Sequence, residues 1–337
     1  MLGLIKKTLT AGIAAALVLL TALPSFADGV NSAYETKTIE NYYITNGDKL
    51  DGTVLDEYLA LVYSGFTVSG EPYLNGREGV NLLSAEILIN AAAGGAADEN
   101  KTAGLVSAQK EDGSFGSFED TCLAMIALKT AKTVFASEKA VKYLMSCQNG
   151  NGSFGDSGSD KTDIETAALA LVALEPYSSS TDVYNCIKKA AGYLNEVQNA
   201  DGTFADGSSV TLAKVIAALS DIGESTNSDI WKKMPELLTT YKNSDGSYRK
   251  YVSDTESDPE ATAEALCAFH AVASGSSPVK KLMNEGKLSS FEISDVLPFI
   301  ILYGVILLGA IAFWIYALTK KKNERTLEDA KKAYELS

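Results

Sequence analysis

The stretch QKEDGSFGSFEDTCLAMIAL, from Gln109 to Leu128, joins a glycine-rich turn to an apolar run. An aspartate followed by glycine allows a positive φ at low cost, so the chain can reverse tightly there. The apolar run, CLAMIAL, is typical of a helix that is buried on most of its faces. The stretch therefore predicts a turn that connects an outer helix to an inner, buried one.

The same pattern returns three more times, with spacings of 39, 50 and 44 residues between the turn glycines. A repeat of this length and variability indicates helix pairs joined by loops of different length. We expect each glutamine to hydrogen-bond backbone groups left free at a helix end, and each aromatic ring to cover the helix ends. The predicted structural residues of the turns are Gln109, Gly113, Phe115, Gln148, Gly152, Phe154, Gln198, Gly202, Phe204, Gly246 and Tyr248.

Helical apolar periodicity lies on both sides of each turn. The segments before the turns are amphipathic and cover residues 137–148, 183–198 and 230–242. The segments after them are almost wholly apolar and cover residues 119–130, 163–174, 210–219 and 260–273. Residues 55–63 and 80–92 are predicted to form one further pair, and 280–288 or the N-terminal segment to supply a sixth. Alternation of amphipathic and buried helices predicts an all-α fold of two concentric layers.

The N-terminal residues have the pattern of a secretory signal peptide. Lys6 and Lys7 precede an apolar run, and small residues precede a cleavage position after Ala27. The alternative is an uncleaved N-terminal anchor. Cleavage would leave a linker at 28–47 and an extracytoplasmic domain at 48–290.

The C-terminal residues contain a second apolar segment, 296–318, which has no charged residue and is long enough to cross a bilayer as a helix. Lys320, Lys321 and Lys322 follow it directly, and the positive-inside rule places such residues in the cytoplasm. We therefore expect a single-pass protein of the cell membrane, with a short cytoplasmic tail at 319–337.

Charge excludes one class of partner. Between Asp28 and Asp295 there are 21 basic and 39 acidic residues, a net charge near −18. Nucleic acids require clustered lysine and arginine, so they are not expected ligands. The acidity is typical of a solvated secreted surface, and it also favours cationic ligands.

The four cysteines, Cys122, Cys147, Cys186 and Cys267, leave two interpretations open. Two disulfides would allow three connectivities, as in other secreted domains. Buried thiols inside helices are the alternative. No Cys-x-x-Cys spacing is present to indicate a zinc site.

The turns resemble the repeats of the terpenoid cyclase and protein prenyltransferase superfamily, including the squalene–hopene cyclases. The stretch DIETAALALVALEPYSSSTDVYNCIKKAAGYLNEVQNADGTF, residues 163–204, is similar to secreted bacterial members of that superfamily. Those members are in turn similar to the helical domain of intrinsic factor and transcobalamin, which bind cobalamin. The resemblance implies an α/α toroid of five to six helix pairs, with a pocket at one mouth of the barrel, near the starts of the inner helices.

Equivalent positions at those helix starts are often acidic. Counting back nine residues from the matching residues of the four apolar runs gives Glu119, Glu165, Val210 and Glu260. Acidic and hydroxyl residues also favour helix N-termini because they cap them, so capping is the alternative to ligand binding. The candidate ligand-binding residues at the rim of the pocket are Glu119, Asp120, Asp163, Glu165, Thr166, Thr211, Asp258, Glu260 and Thr262.

The enzyme motifs of the superfamily are incomplete. The Asp-x-Asp-Asp tetrad with which squalene–hopene cyclases protonate their substrate is absent. Asp120-Thr121-Cys122 resembles the zinc-binding pair of protein prenyltransferases, but the partner histidine is missing, since His270 lies deep in its helix. We therefore predict no catalytic residue, no metal and no cofactor.

Three functions remain as hypotheses. The first is a non-catalytic module that binds a ligand or a protein, with a corrinoid-like molecule as the ligand implied by the resemblance and a surface protein or transporter as partner. The second is a divergent terpene cyclase- or glycosidase-like enzyme that uses carboxylates at the barrel mouth. The third is a structural or adhesive role at the cell surface.

Overall fold

In the computed structural model, the described part of the chain contains twelve α-helices and one 3₁₀ helix, Glu175–Tyr177. The described residues are 30–47, 50, 55–66, 74, 76–155, 164–224 and 229–288, and all of them belong to one compact unit. Within these ranges no β-strand occurs, and the only β-type pairing is two isolated bridges in the turns. The predicted all-α class is confirmed.

Six helices form a closed inner ring in which each helix packs against the next and the last packs against the first. Their residues dominate the buried core. Helices so apolar on every face can only be stable when neighbours surround them. In chain order the inner helices are α2 (Leu55–Tyr63), α3 (Gly79–Ala92), α5 (Phe118–Thr130), α7 (Ile164–Leu174), α9 (Ser209–Asp221) and α11 (Pro259–Ser274).

Five helices pack on the outside of this ring and bury one face each. They are α1 (Ser32–Asn46), α4 (Glu99–Ser107), α6 (Ser137–Ser146), α8 (Thr181–Glu196) and α10 (Asp229–Thr239). The twelfth helix, α12 (Pro278–Glu285), packs against α5 and α11, which stand on opposite sides of the ring. It therefore lies across the end of the ring where the inner helices finish.

The structure corrects three expectations. Residues 28–47, predicted to be a linker, include α1, which buries Ile39 and Tyr43 against α11. The predicted pair at 55–63 and 80–92 consists of two neighbours in the inner ring. Helix α4 was not predicted, because only Thr102 and Leu105 of its residues are buried and its apolar pattern is correspondingly weak.

The signal peptide at 1–27, the membrane segment at 296–318 and the tail at 319–337 all lie outside the described residues. Among the helices that are described, none combines the length and the apolar character needed to cross a membrane.

The repeated turns are built alike. In the first, the Gln109 side-chain amide donates to the carbonyl oxygens of Gly113 and Ala136, both at 3.1 Å, and Asp112 accepts from the Ser114 backbone N–H at 2.9 Å. Gln148 and Gln198 make the corresponding bond to their own turn glycine. The aromatic residue of each turn is buried. Each glutamine therefore ties its own turn together, and each aromatic ring belongs to the buried core.

The turn glycine is required for two reasons, which Gly152 illustrates. Its φ is +96°, a conformation that residues with a side chain rarely adopt. A Cβ atom at this position would also collide with the backbone carbonyl oxygen of Lys189, on the outer helix of the next repeat. The close approach of turn and helix therefore sets how neighbouring repeats stack.

We expect Gly152→Ala to lower the free energy of unfolding by about 2 kcal/mol, because it combines backbone strain with a backbone collision. Gly150→Ala, two residues away, is the matched control, since a Cβ there has no neighbour within 4 Å. That control should change stability by less than about 0.5 kcal/mol. Urea denaturation followed by circular dichroism measures both, and equal effects would contradict the packing role of Gly152.

Candidate functional site

A cavity of about 350 Å³ lies inside the inner ring and is lined by all six inner helices and by α12. A larger cleft of about 490 Å³ lies near the ends of α3 and α5, but three of its charged side chains are engaged: Lys101 pairs with Glu86 at 3.2 Å, and Asp98 caps α4. The central cavity collects residues from equivalent repeat positions, so it is the stronger candidate site.

The wall of the cavity follows helical spacing, since residues separated by three or four positions share a helix face. The first turns of α5, α7 and α11 present Glu119, Glu165 and Glu260. One turn further along, the four repeats place these residues on the cavity wall: Leu123, Leu169, Lys214 and Glu264. After one more turn, the wall residues are Ile126, Val172, Ala217 and Cys267. The mouth is therefore acidic, the α5 and α7 side is apolar, and the α9 and α11 side is charged.

Lys214 bridges two of the repeats. Its ammonium lies 2.9 Å from a carboxylate oxygen of Glu165 and 2.9 Å from one of Glu260. The second oxygen of Glu165 accepts a hydrogen bond from the Thr211 hydroxyl at 2.8 Å, and the second oxygen of Glu260 lies 3.8 Å from the Lys250 ammonium. Both oxygens of each glutamate therefore already have a protein partner.

The electrostatics follow from this arrangement. Burial alone would lower the pKa of Lys214, but the carboxylates of Glu264, Glu165, Asp56 and Glu260 raise it well above its ordinary value. Burial opposes ionisation of Glu165 as well, yet the charge and hydrogen bond of Lys214 outweigh it and hold its pKa below the ordinary value. Lys214 and Glu165 are consequently both charged at neutral pH.

Glu264 differs from the other glutamates. Its side chain is 9% exposed, and among the described residues it has no hydrogen-bond partner. Burial and the neighbouring charge of Asp56 raise its pKa to about 8, although Lys214 opposes them. Burial likewise raises the pKa of Asp56. Glu264, with a pKa of about 8, is therefore mostly protonated at pH 7.

The closed end of the cavity is held by hydrogen bonds between α9 and α12. Asp221, the last residue of α9, accepts from the Ser277 backbone N–H at 2.7 Å and from the Ser277 hydroxyl at 2.6 Å. Lys280 donates to the Asp221 carbonyl oxygen at 2.5 Å and pairs with Glu175 at 2.9 Å. Burial raises the pKa of Asp221 to about 6.

The structure places four of the predicted rim residues, Glu119, Glu165, Thr166 and Glu260, on the cavity wall. Thr211 is buried behind it and orients Glu165. Asp163 lies outside the described residues.

The other three predicted rim residues are engaged in helix starts. Asp120 completes a capping box with Ser117, and Asp258 caps α11 by accepting from the Ala261 N–H at 2.8 Å. Thr262 accepts from the Tyr248 N–H at 3.0 Å. The alternative interpretation, capping, therefore accounts for Asp120 and Asp258, whereas Thr262 joins its helix to the preceding turn.

Sequence reasoning missed Lys214, Glu264 and Asp56. A usable signal existed for two of them. Lys214 and Glu264 are the charged residues within the apolar runs AKVIAAL and AEALCAF, at the position where the other two repeats have leucine. A charge at an equivalent buried position of a repeat indicates a functional or structural polar site.

The residues that resemble the prenyltransferase zinc pair do not face the cavity. Cys122 is fully buried, which raises the pKa of its thiol, and Asp120 is committed to capping. His270 is hydrogen-bonded to the Tyr63 hydroxyl at 2.8 Å, and burial lowers its pKa to about 4. Across the described ranges no three His, Cys, Asp or Glu side chains are grouped as metal ligands, and all four cysteines are free thiols.

We expect Lys214→Met to lower the free energy of unfolding by about 2 kcal/mol at pH 7, because Glu165 and Glu260 lose a partly buried cation. Glu165 has a depressed pKa, so its pairing stabilises the fold above the unfolded pKa and is lost on acidification. The difference from wild type should therefore shrink below about pH 4.

Lys188→Met is the matched control, since Lys188 pairs with Glu224 on the surface. It should cost less than about 1 kcal/mol at any pH. Urea denaturation between about pH 2.5 and pH 8, a range that extends well below the ordinary pKa of a glutamate, measures both variants. A loss in Lys214→Met that does not depend on pH would contradict the assignment.

One family model matches the chain, the prenyltransferase alpha-alpha toroid domain, over residues 83–214 and 206–301. No curated protein matches it. The similarity to the intrinsic factor and transcobalamin group therefore stays a prediction. The matched residues make up more than half of the 337-residue chain and include five of the six inner helices. The protein belongs to the prenyltransferase alpha-alpha toroid family.

Proposed function

We propose that the protein is a membrane-anchored, extracytoplasmic binding module whose central cavity takes a small organic cation with a short apolar body, without altering it chemically. The observation that supports this most is the charge of the cavity wall. Six acidic residues line the wall, against two basic ones, Arg77 and Lys214. The acidic residues are Asp56, Glu119, Glu165, Asp221, Glu260 and Glu264.

The shape and polarity of the cavity support the same ligand class. A volume of about 350 Å³ is within the range of small-molecule sites. Leu123, Leu169, Ile126 and Val172 form an apolar surface for an alkyl group. The strong net negative charge of the domain would also raise the local concentration of cations and speed their entry.

A corrinoid fits this proposal less well. Its macrocycle is too large to be enclosed in a cavity of this volume, so it would have to lie across the acidic mouth. Calorimetric titration with cobalamin tests this version directly, and heat at micromolar ligand would favour the corrinoid over the small cation.

Membrane anchoring and an outward-facing domain are supported by sequence features alone, the signal-like N-terminus and the apolar segment 296–318. A module of this kind would pass its ligand to a neighbouring transporter or surface protein, which is the partner that the proposal implies. Removal of 296–337 should release the protein from membranes, and cross-linking in intact cells should capture one reproducible partner. Recovery of the shortened protein in the membrane fraction would overturn the anchoring.

The second candidate is an enzyme that uses the cavity carboxylates. One oxygen of Glu165 and one of Glu260 each lie 2.9 Å from the same ammonium, so these two oxygens are at most about 5.8 Å apart, which is compatible with paired acid–base groups. That ammonium, however, occupies the space between them. Glu264, with a pKa of about 8, is also too weak an acid to protonate a carbon–carbon double bond as terpene cyclases do. The geometry therefore favours binding over catalysis.

The two candidates are separated by Glu165→Gln and Glu260→Gln. If the protein is an enzyme, either substitution should lower the rate at which it turns over a glycan or prenyl substrate by at least about 100-fold. As a binding module it should show no turnover before or after substitution, while retaining ligand affinity within about tenfold.

For the ligand class we expect n-butylammonium to bind at least tenfold more tightly than n-butanol, and butyrate not to bind. Each of the three has four carbon atoms in an unbranched chain, and they differ in the charge of the head group. With so few atoms, a Kd near the millimolar range is expected even for the best of them. Calorimetry at pH 7.5 and low salt measures the series.

Glu119→Gln, at the exposed cavity mouth, should weaken butylammonium binding several-fold, since it removes one charge from the wall. Glu138→Gln, on the exposed face of α6, should leave binding unchanged. Butyrate binding as tightly as butylammonium would show that Lys214 and Arg77 set the preference, and would overturn the proposal.

A further inference from the structure

The carboxylates of the cavity are not equally available to a ligand. Both oxygens of Glu165 are engaged, by Lys214 and Thr211, and both oxygens of Asp221 accept bonds from Ser277. Glu260 has an ammonium near each oxygen. These three groups hold the walls and the closed end together, so a ligand could pair with them only by displacing a protein partner.

Glu264 is the exception among the buried acids. It is more than nine-tenths buried, it lines the cavity, and within the described part of the chain no donor is bonded to it. A carboxyl group that lines a cavity and has no protein donor can accept hydrogen bonds from a ligand without displacing a protein partner. An ammonium supplies three N–H donors and the compensating charge.

We propose that Glu264 is the carboxylate that pairs with the cationic head of the ligand, and that it releases its proton to solvent when the ligand binds. This inference depends on the proposed function, because it assigns the residue that recognises the cation. In the step, the Glu264 O–H bond breaks, the proton leaves to buffer, and the carboxylate formed accepts hydrogen bonds from R–NH₃⁺, which keeps its own proton.

The surroundings of Glu264 explain why the proton is present beforehand. Burial and the carboxylate of Asp56 oppose ionisation and raise its pKa to about 8. The charged groups that act on it come from three other inner helices and its own, namely Asp56 (α2), Lys214 (α9), Glu165 (α7) and Glu260 (α11). Helix α1 contributes the neutral phenol of Tyr43 near Asp56, and α12 contributes Lys280, which is paired with Glu175.

Lys214 cannot neutralise this site by itself. Its side chain is 25% exposed, and its ammonium already contacts Glu165 and Glu260. An added cation is therefore needed before Glu264 and Asp56 can both be ionised in the same cavity. The structure thus couples cation binding to loss of a proton.

The experiment is calorimetric titration of the full-length protein with n-butylammonium at pH 7, in two buffers of low and high ionisation enthalpy. An alkylammonium has a pKa near about 10.4 and does not titrate here. The difference in heat between buffers gives the number of protons released, which we expect to be about one. Between pH 7 and pH 8 the affinity should rise about fivefold, because a larger fraction of Glu264 has already lost its proton.

The test variant is Glu264→Gln, a neutral side chain of the same shape as the protonated acid, so it should fold normally. It should lose at least tenfold in butylammonium affinity, release no proton and show no rise in affinity between pH 7 and pH 8. Glu119→Gln is the matched cavity control, and it should bind more weakly while still releasing about one proton.

The outcomes separate the two proposals. Butylammonium that binds with the same heat in both buffers, or that binds Glu264→Gln as tightly as wild type, would overturn the role of Glu264 and leave the cation site standing. A folded wild-type protein that binds no butylammonium at all would overturn the proposed function itself.

Discussion

The close approach between a turn glycine and the backbone of the next outer helix is the constraint on which the toroid depends. Gly113 and Gly152 each lie so near a lysine carbonyl that no side chain fits between them. Each turn therefore fixes the distance and direction to the following repeat, and the inner helices that start after the turns converge. Because their N-termini converge, Glu119, Glu165 and Glu260 surround one mouth although about 140 residues separate the first from the last.

Much of the fold could be predicted from the sequence, because the same turn-and-helix pattern occurs four times. Nine helices were predicted close to their observed bounds, and the first-turn glutamates were found by counting along equivalent positions. The N-terminal segment was expected only as one of two sources of a sixth helix pair, and the bounds of α1 could not be found by counting repeats. Its buried residues include Glu35, Thr36 and Glu40, and it is held partly by the ion pair of Glu35 with Lys242 at 2.7 Å, so it shows no apolar period.

The candidate site was predictable at its mouth and not in its interior. Acidic residues at helix starts serve both as caps and as wall residues, and only the structure separates Asp120 and Asp258 from Glu165 and Glu260. The interior depends on which buried charges meet across repeats. Asp56, from a helix without the repeat's turn, lies near Lys214 and Glu264, and no local pattern links those three positions. Long-range pairing of this kind follows from ring closure between α11 and α2.

Helix α12 has a kinetic consequence for whatever occupies the cavity. It packs against inner helices on opposite sides of the ring, and Ser277, Val279 and Leu282 form part of the cavity wall. A barrel open at both ends would let an incoming molecule push the resident one through. With one end covered, a resident molecule must leave by the opening through which its successor arrives. The rate of ligand exchange is then limited by the spontaneous dissociation of the bound molecule. Its residence time should therefore not depend on the concentration of a competing ligand.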